Sequence, residues 1–147
     1  MALILLIETG TDICSVGIAR DGELVSLRES AEGRDHAKHV GVFVDELLRE
    51  NDIAAEELSA VAVGMGPGSY TGLRIGVSFA KGLCYGLRKP LIAIGSLDAL
   101  VEVAREDAEA GIDAAIGGGF TAIGIGVASK YRKTQISLSK FSELLNL

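Results

Sequence analysis

The sequence predicts an α/β fold in which helices cover a mixed sheet. Three short apolar runs near the N-terminus are separated by turn residues, as in an antiparallel meander. Two later apolar runs alternate with segments whose apolar residues recur every three or four positions, as in amphipathic helices. These observations give the element order β-β-β-α-β-α-β-α, in a chain short enough to form one domain.

The first three strands are expected at Leu3 to Ile7, Cys14 to Ala19 and Leu24 to Leu27. The first is a continuous aliphatic run, and the Gly10-Thr11 turn separates it from the second, which alternates. Asp21-Gly22 lies between the second and third runs, and Asp-Gly between strand-like segments is a strong hairpin signal. The fold should therefore open with three antiparallel strands.

A helix, a strand and a second helix are expected next. Apolar spacing of i, i+3, i+4, i+7 and i+8 predicts an amphipathic helix from about His36 to Glu50, with Asp35 as its N-cap. Leu58 to Met65 has the composition of a buried strand. A glycine turn then leads into a helix from Tyr70 to Leu87, for which Ser69 is the natural N-cap.

The last predicted elements follow Pro90, which ends the second helical region. Leu91 to Ile94 should form a short strand. Ser96 is then expected to cap a third helix that runs to about Glu106.

Composition limits the classes of protein that the chain can be. Mean hydropathy of +0.36 excludes a disordered chain. The 19 glycines are roughly twice the usual share and imply many tight turns or close backbone approaches. A net charge of -6 argues against a broad basic face that grips nucleic acid.

The charge is unevenly distributed. Residues 1 to 113 hold 19 acidic and 10 basic side chains, whereas the tail from 114 to 147 has a net charge of +3. The tail cations could meet phosphate, although a solvated helix face is the favoured interpretation. They are Lys130, Arg132, Lys133 and Lys140.

The cysteines and apolar segments are typical of a cytoplasmic protein. Cys14 and Cys84 stand far apart without a CxxC motif, so neither a disulfide framework nor a zinc site is indicated. The N-terminal apolar run is too short for a signal peptide. The uncharged stretch from Ala114 to Ser129 is too short and too rich in glycine to span a bilayer. We therefore expect no membrane association.

A turn after the first strand is the first candidate site. Glu8, Thr9, Gly10 and Thr11, with Ser15 further on, place an acid at a strand end before small hydroxyl residues, whose backbone N–H groups could cradle phosphate. Actin-like ATPases use such a turn, with Asp as the acid. A plain hairpin turn explains the same residues and is the preferred interpretation.

The run from Gly64 to Gly72 is the second candidate, with Gly66 and Gly68 as its turn glycines. It matches neither a Walker A loop, nor G-x-G-x-x-G, nor a nucleophile elbow. A glycine turn before a helix N-terminus can still bind an anion, with Arg74 one turn into the helix.

No metal centre or catalytic constellation can be assembled from the sequence. His36 and His39 stand three residues apart at a helix start, but no HExxH spacing accompanies them, so surface or capping roles are favoured.

A bare helix flank is formed by Gly72, Gly76 and Ala80, which recur every four residues. Packing within the domain and a subunit interface explain this flank about equally well.

Three segments together resemble the bacterial TsaB (YeaZ) family. They are residues 4 to 18 (ILLIETGTDICSVGI), the Arg34-Asp-His36 triplet, and residues 63 to 77 (VGMGPGSYTGLRIGV) with Ala80-Lys-Gly-Leu83. The resemblance covers about residues 2 to 106, and the middle motif is highly specific. It implies an actin-like, ribonuclease-H-like lobe.

The resemblance implies a non-catalytic subunit of the system that attaches a threonylcarbamoyl group to the adenosine next to the anticodon, in tRNAs that read codons beginning with A. The implied partners are a TsaD-type ligase and a TsaE-type P-loop ATPase, with a homodimer when the chain is alone and tRNA bound only within the complex. No cofactor is expected, although ATP binding stays open. An ATP-dependent enzyme of the actin-like class is the alternative.

The resemblance also implies where subunits meet. In TsaB relatives the helices that match 36 to 50 and 70 to 87 form the dimer interface. TsaD-type proteins carry metal-binding histidines on the second of these helices, which contains no His here. The implied interface residues are His36, His39, Phe43, Gly72, Ile75, Gly76, Phe79 and Ala80.

Relatives usually have a second lobe, for which this chain is short. We expect residues 1 to 107 to form the actin-like lobe and residues 108 to 147 to be the remnant or start of a truncated second one.

Overall fold

A computed structural model describes residues 1–30 and 35–99 of the chain. Five strands form one sheet, and two long helices pack on it. Arg34 of the Arg-Asp-His triplet, the basic tail and the expected second lobe lie outside the described residues. Within those residues, the element order follows the prediction, with the bounds β1 Leu3–Glu8, β2 Cys14–Arg20, β3 Glu23–Ser30, α1 His36–Glu50, β4 Ala60–Gly64, α2 Tyr70–Leu87 and β5 Leu91–Ile94.

The N-terminal meander is confirmed, because β1 and β2, and β2 and β3, pair antiparallel. Arg20 faces Glu23 across a two-residue loop in which Asp21 and Gly22 both have positive φ (50° and 89°). A type I′ turn needs such angles, and Asp-Gly supplies them with the least steric cost.

The centre of the sheet is parallel. The strand order is β3-β2-β1-β4-β5, and β4 pairs parallel with both β1 and β5. All residues of β4 and nearly all of β1 are buried, because apolar clusters cover both faces of these strands. The parallel pairing places the end of β1, the end of β4 and the end of β5 at one edge, which is where the candidate turns lie.

The main core lies between the sheet and the two helices. Leu3, Leu5 and Ile7, on one face of β1, belong to the same buried cluster as Val40 and Val44 of α1. The opposite face of the sheet carries a smaller apolar cluster. Both helices have the predicted bounds, which came from apolar periodicity for α1 and from the flanking glycine turn and Pro90 for α2.

The predicted caps have different outcomes. The Ser69 side chain accepts a hydrogen bond from the Gly72 N–H, as expected. Asp35 occupies the N-cap of α1, but its carboxylate pairs with Lys38 instead of capping. The prediction for Ser96 is wrong by one residue. The helix begins at 96 because the Gly95 carbonyl accepts the Ala99 N–H, and the end expected near Glu106 lies outside the described residues.

The cysteines are both free and buried. Burial raises the pKa of the Cys14 thiol to about 11 and also raises that of Cys84. Among the described helices, none is long and apolar enough to cross a membrane.

Candidate functional site

The two predicted phosphate turns are brought together and are bonded directly to each other. The Ser69 N–H donates a hydrogen bond of 2.7 Å to the Gly10 carbonyl. A Cβ at Gly68 would lie 3.0 Å from the Gly10 Cα, so the two backbones are in close contact. The Leu73 side chain fills the space between Gly10 and Gly66. The turns therefore form a closed backbone contact, not an open cradle.

Glu8 supplies an internal hydrogen-bond acceptor at this contact. Its Oε1 accepts a hydrogen bond of 2.6 Å from the Gly10 N–H, and its carboxyl group lies against Gly64, where any side chain would overlap it. Burial raises the pKa of Glu8, and the backbone N–H groups of Gly10 and Thr9 partly offset that shift. A backbone donor that the sequence assigned to phosphate is therefore already paired with this carboxylate.

Thr9 and Thr11 have structural partners. The Thr9 side chain is fully buried, and its Oγ1 donates a hydrogen bond of 2.7 Å to the Gly72 carbonyl. Thr11 Oγ1 accepts the Ile13 N–H at 3.1 Å. Its carbonyl oxygen lies 2.8 Å from His36 Nε2, so the buried His36 ring ties the start of α1 to the turn after β1.

The bare flank of α2 faces the interior, which corrects the predicted interface. A Cβ at Gly72 or Gly76 would overlap Thr9, and Ala80 is fully buried in the main core. Packing within the domain thus accounts for the glycine spacing. With His36 also buried, four of the eight predicted interface residues are inside the lobe.

The other four predicted interface residues are half-buried and lie on different flanks. His39 and Phe43 stack with ring centroids 5.3 Å apart. They share a helix stripe with the two acids that pair with Arg28 of β3, so this flank of α1 faces β3. Phe79, on α2, instead faces α1, because its ring lies 3.5 Å from where a Cβ on Gly41 would be. Ile75 lies one turn before Phe79 on α2.

A groove of about 390 Å³ runs along α2 beside Phe79 and is lined by Ser78, Phe79, Gly82, Leu83, Gly86 and Leu87. In the described part of the chain, nothing lies within 4 Å of the Cβ positions of Gly82 and Gly86. These two glycines, which the sequence reasoning passed over, leave a second bare stripe that is open to solvent.

Two other candidate residues also have local partners. Arg74 does not reach the glycine turn: its guanidinium lies 5.4 Å from the Tyr70 ring centroid on the outer side of α2. Ser15 Oγ donates to Glu29 at 2.9 Å. Within residues 1–30 and 35–99, no three His, Cys, Asp or Glu side chains are grouped to hold a metal ion.

A model of the family "TsaD: tRNA N6-adenosine threonylcarbamoyltransferase" matches residues 29–143. The chain is 37% identical to the tRNA threonylcarbamoyladenosine biosynthesis protein TsaB of Haemophilus influenzae over 103 residues, which is 70% of this chain and 43% of that protein. YeaZ from Pseudomonas aeruginosa superposes with a TM-score of 0.67 at 32% identity, over 72% of this chain and 49% of that one. The chain belongs to this family, in its TsaB (YeaZ) group.

The TsaB group is related to named transferases. The tRNA N6-adenosine threonylcarbamoyltransferase of Nitratidesulfovibrio vulgaris is 36% identical over 108 residues, which is 63% of this chain and 30% of that protein. The RuvC structure from Thermus thermophilus has a TM-score of 0.56 at 12% identity, over 98% of this chain and 96% of that one, and shows the ribonuclease-H-like fold alone. The chain spans about half or less of the length of the TsaB proteins that it matches.

Proposed function

We propose that the chain is a non-catalytic subunit of tRNA threonylcarbamoyladenosine synthesis. It acts with a TsaD-type ligase and a TsaE-type P-loop ATPase in the cytoplasm, on the adenosine next to the anticodon of tRNAs that read codons beginning with A. The TsaB relatives support the pathway, since they carry this biosynthesis in their names.

The closed contact between the two turns is the observation that supports a non-catalytic role. The Glu8 carboxylate takes the Gly10 N–H, and the Gly10 carbonyl takes the Ser69 N–H. A nucleotide phosphate that used these donors would have to displace the Glu8 carboxyl group from the Gly10 N–H and separate two packed backbones.

The alternative, an ATP-dependent enzyme of the actin-like class, is favoured by one observation, the 36% identity to a named transferase. Calorimetric titration of ATP into the full chain, with hydrolysis measured in parallel, separates the two functions. We expect no micromolar binding and no turnover. Micromolar binding with turnover that Glu8→Ala abolishes would favour the enzyme.

We propose that the partner surface uses the outer side of the two helices. Phe79, with the open stripe of Gly82 and Gly86, offers a groove into which a partner helix can pack closely, because glycines let backbones approach. Ile75 lies one turn before Phe79 on the same helix. His39 and Phe43 lie on the flank of α1 that faces β3 and are left out of this surface. The partner is the ligase subunit, or a second copy when the chain is alone.

Substitution at Gly82 tests this surface. Gly82→Leu points into open space, so the lobe should fold while pairing with the ligase subunit, measured by analytical ultracentrifugation, is lost. Gly82→Ala is the matched control and should retain pairing. A folded Gly82→Leu chain that pairs as the wild type does would refute the groove as the interface.

A further inference from the structure

The outward face of α2 carries a row of aromatic and cationic side chains. Four of these side chains follow one another at spacings of four, seven and four residues, so they fall within an arc of about 60° around the helix. They are Tyr70, Arg74, Lys81 and Tyr85. Arg88 follows at the C-cap. All five are exposed, with Tyr70 at 74% and Tyr85 at 90%. We name these five residues the α2 stripe.

The cations of the α2 stripe lie in a segment without acids. Residues 58–97 contain no Asp or Glu, although the whole chain has a net charge of -6. In the described part of the chain, Arg28, Lys38 and Arg49 each form an ion pair with an acid, whereas Arg74, Lys81 and Arg88 form none, and neither do Arg20 and Lys89. The stripe therefore presents positive charge that is available to an external anion.

The spacing of the stripe suits an extended polyanion. Arg74, Lys81 and Arg88 recur every seven residues, which puts them about 10 Å apart along the helix axis. A row of this kind fits charges that recur along a strand, as phosphates do. A single small anion would contact only one of the three cations.

The tyrosines indicate which polyanion fits. Tyrosine rings stack on nucleic acid bases, and a guanidinium held over a ring can contact phosphate and base together. Arg74 already lies 5.4 Å from the Tyr70 ring centroid. Tyr85, which is 90% exposed, supplies a second ring on the same face of the helix.

We propose that the α2 stripe binds RNA, and that its ligand is the tRNA on which the proposed function acts. The chain by itself should then also bind tRNA, in contrast to the implication of the family resemblance that tRNA is bound only within the complex. The inference rests on that function for the identity of the RNA. The stripe lies beside the groove of Phe79, Gly82 and Gly86, but none of its residues lines that groove. One helix can therefore meet a protein partner on one side and RNA on the other.

Binding of a labelled, unmodified tRNA transcript to the full chain, followed by fluorescence anisotropy between about 50 and 200 mM salt, tests the proposal. Contact with about three phosphates predicts a slope of roughly −2 for log K against log salt. The combined variant Arg74→Ala, Lys81→Ala and Arg88→Ala should flatten this slope and weaken binding at least tenfold at low salt.

A matched variant controls for net charge. Arg20→Ala, Lys38→Ala and Arg49→Ala together also remove three exposed cations, but outside the stripe, and should change binding less than twofold. Stacking is tested separately. Tyr85→Ala should weaken binding roughly tenfold, whereas Tyr85→Phe keeps the ring and should bind as the wild type does.

Three results would overturn the proposal. They are a wild-type chain with no salt-dependent tRNA binding, a stripe variant that binds like its charge control, and a stripe variant that loses only a protein partner. The proposed function is measured independently, by loss and restoration of threonylcarbamoyladenosine in cells. A chain that restores the modification but binds no RNA through the stripe refutes this inference alone.

Discussion

Replacing Gly72 with alanine should destabilise the lobe, because α2 lies directly on the turn after β1. The new methyl group would overlap the Thr9 carbonyl oxygen and lie 3.2 Å from its carbonyl carbon. Overpacking against backbone costs about 1–3 kcal/mol, and losing the hydrogen bond from Thr9 Oγ1 to the Gly72 carbonyl adds about 1 kcal/mol. The higher helix propensity of alanine than of glycine offsets about 1 kcal/mol of this loss in stability. The net loss in unfolding free energy is about 1–3 kcal/mol.

Gly82→Ala is the matched control in the same helix. Its Cβ meets nothing within 4 Å in the described part of the chain, so the variant should gain up to about 1 kcal/mol from helix propensity. Urea unfolding followed by far-ultraviolet circular dichroism compares the two at equal m-values. A Gly72→Ala chain as stable as Gly82→Ala would mean that the flank is not packed on Thr9, and would restore it as a surface for association.

Two further predictions concern buried ionisable groups. Burial raises the pKa of Glu8 above 4.5, so the folded state holds this proton more tightly than the unfolded state, and stability falls as pH rises through the folded-state pKa. Glu8→Gln keeps a hydrogen-bond acceptor for the Gly10 N–H, so its unfolding free energy should rise relative to that of the wild type as pH rises above 4.5. Urea titrations in which the difference in unfolding free energy between the two chains does not change with pH would refute this. Cys14, fully buried with a pKa of about 11, should react with a thiol reagent at pH 8 only at the rate of unfolding, and fast labelling of the folded chain would contradict its placement.

The sequence was most informative where local chemistry decides the outcome. The bounds of α1 follow from apolar periodicity, and those of α2 from the turn residues on either side of it. The Asp21-Gly22 hairpin follows from the backbone angles that this pair tolerates. The Ser69 cap likewise depends only on neighbours within one turn. None of these predictions requires knowledge of which elements meet in space.

The sequence left alternatives open where the outcome depends on contacts between distant segments. The spacing of Gly72 and Gly76 reveals a bare flank, but only the parallel pairing of β1 with β4 brings Thr9 beneath it. The presence of a glutamate at position 8 does not reveal whether its carboxylate faces a ligand or the backbone of its own chain.

The α2 stripe could have been found in the sequence. Counting charges over residues 1 to 113 hid the segment from 58 to 97, which has four cations and no acid. A local charge window combined with the helical spacing of the tyrosines would have revealed it.

The most direct test measures threonylcarbamoyladenosine in tRNA by mass spectrometry, after depletion of this chain in its own cells and after its restoration. The modification should fall on depletion and should return with the wild-type chain and with Glu8→Gln, because no step of the chemistry is assigned to that carboxylate. An unchanged level of the modification after depletion would contradict a role in this pathway. Its return with the wild type but not with a folded Glu8→Gln chain would contradict the non-catalytic role.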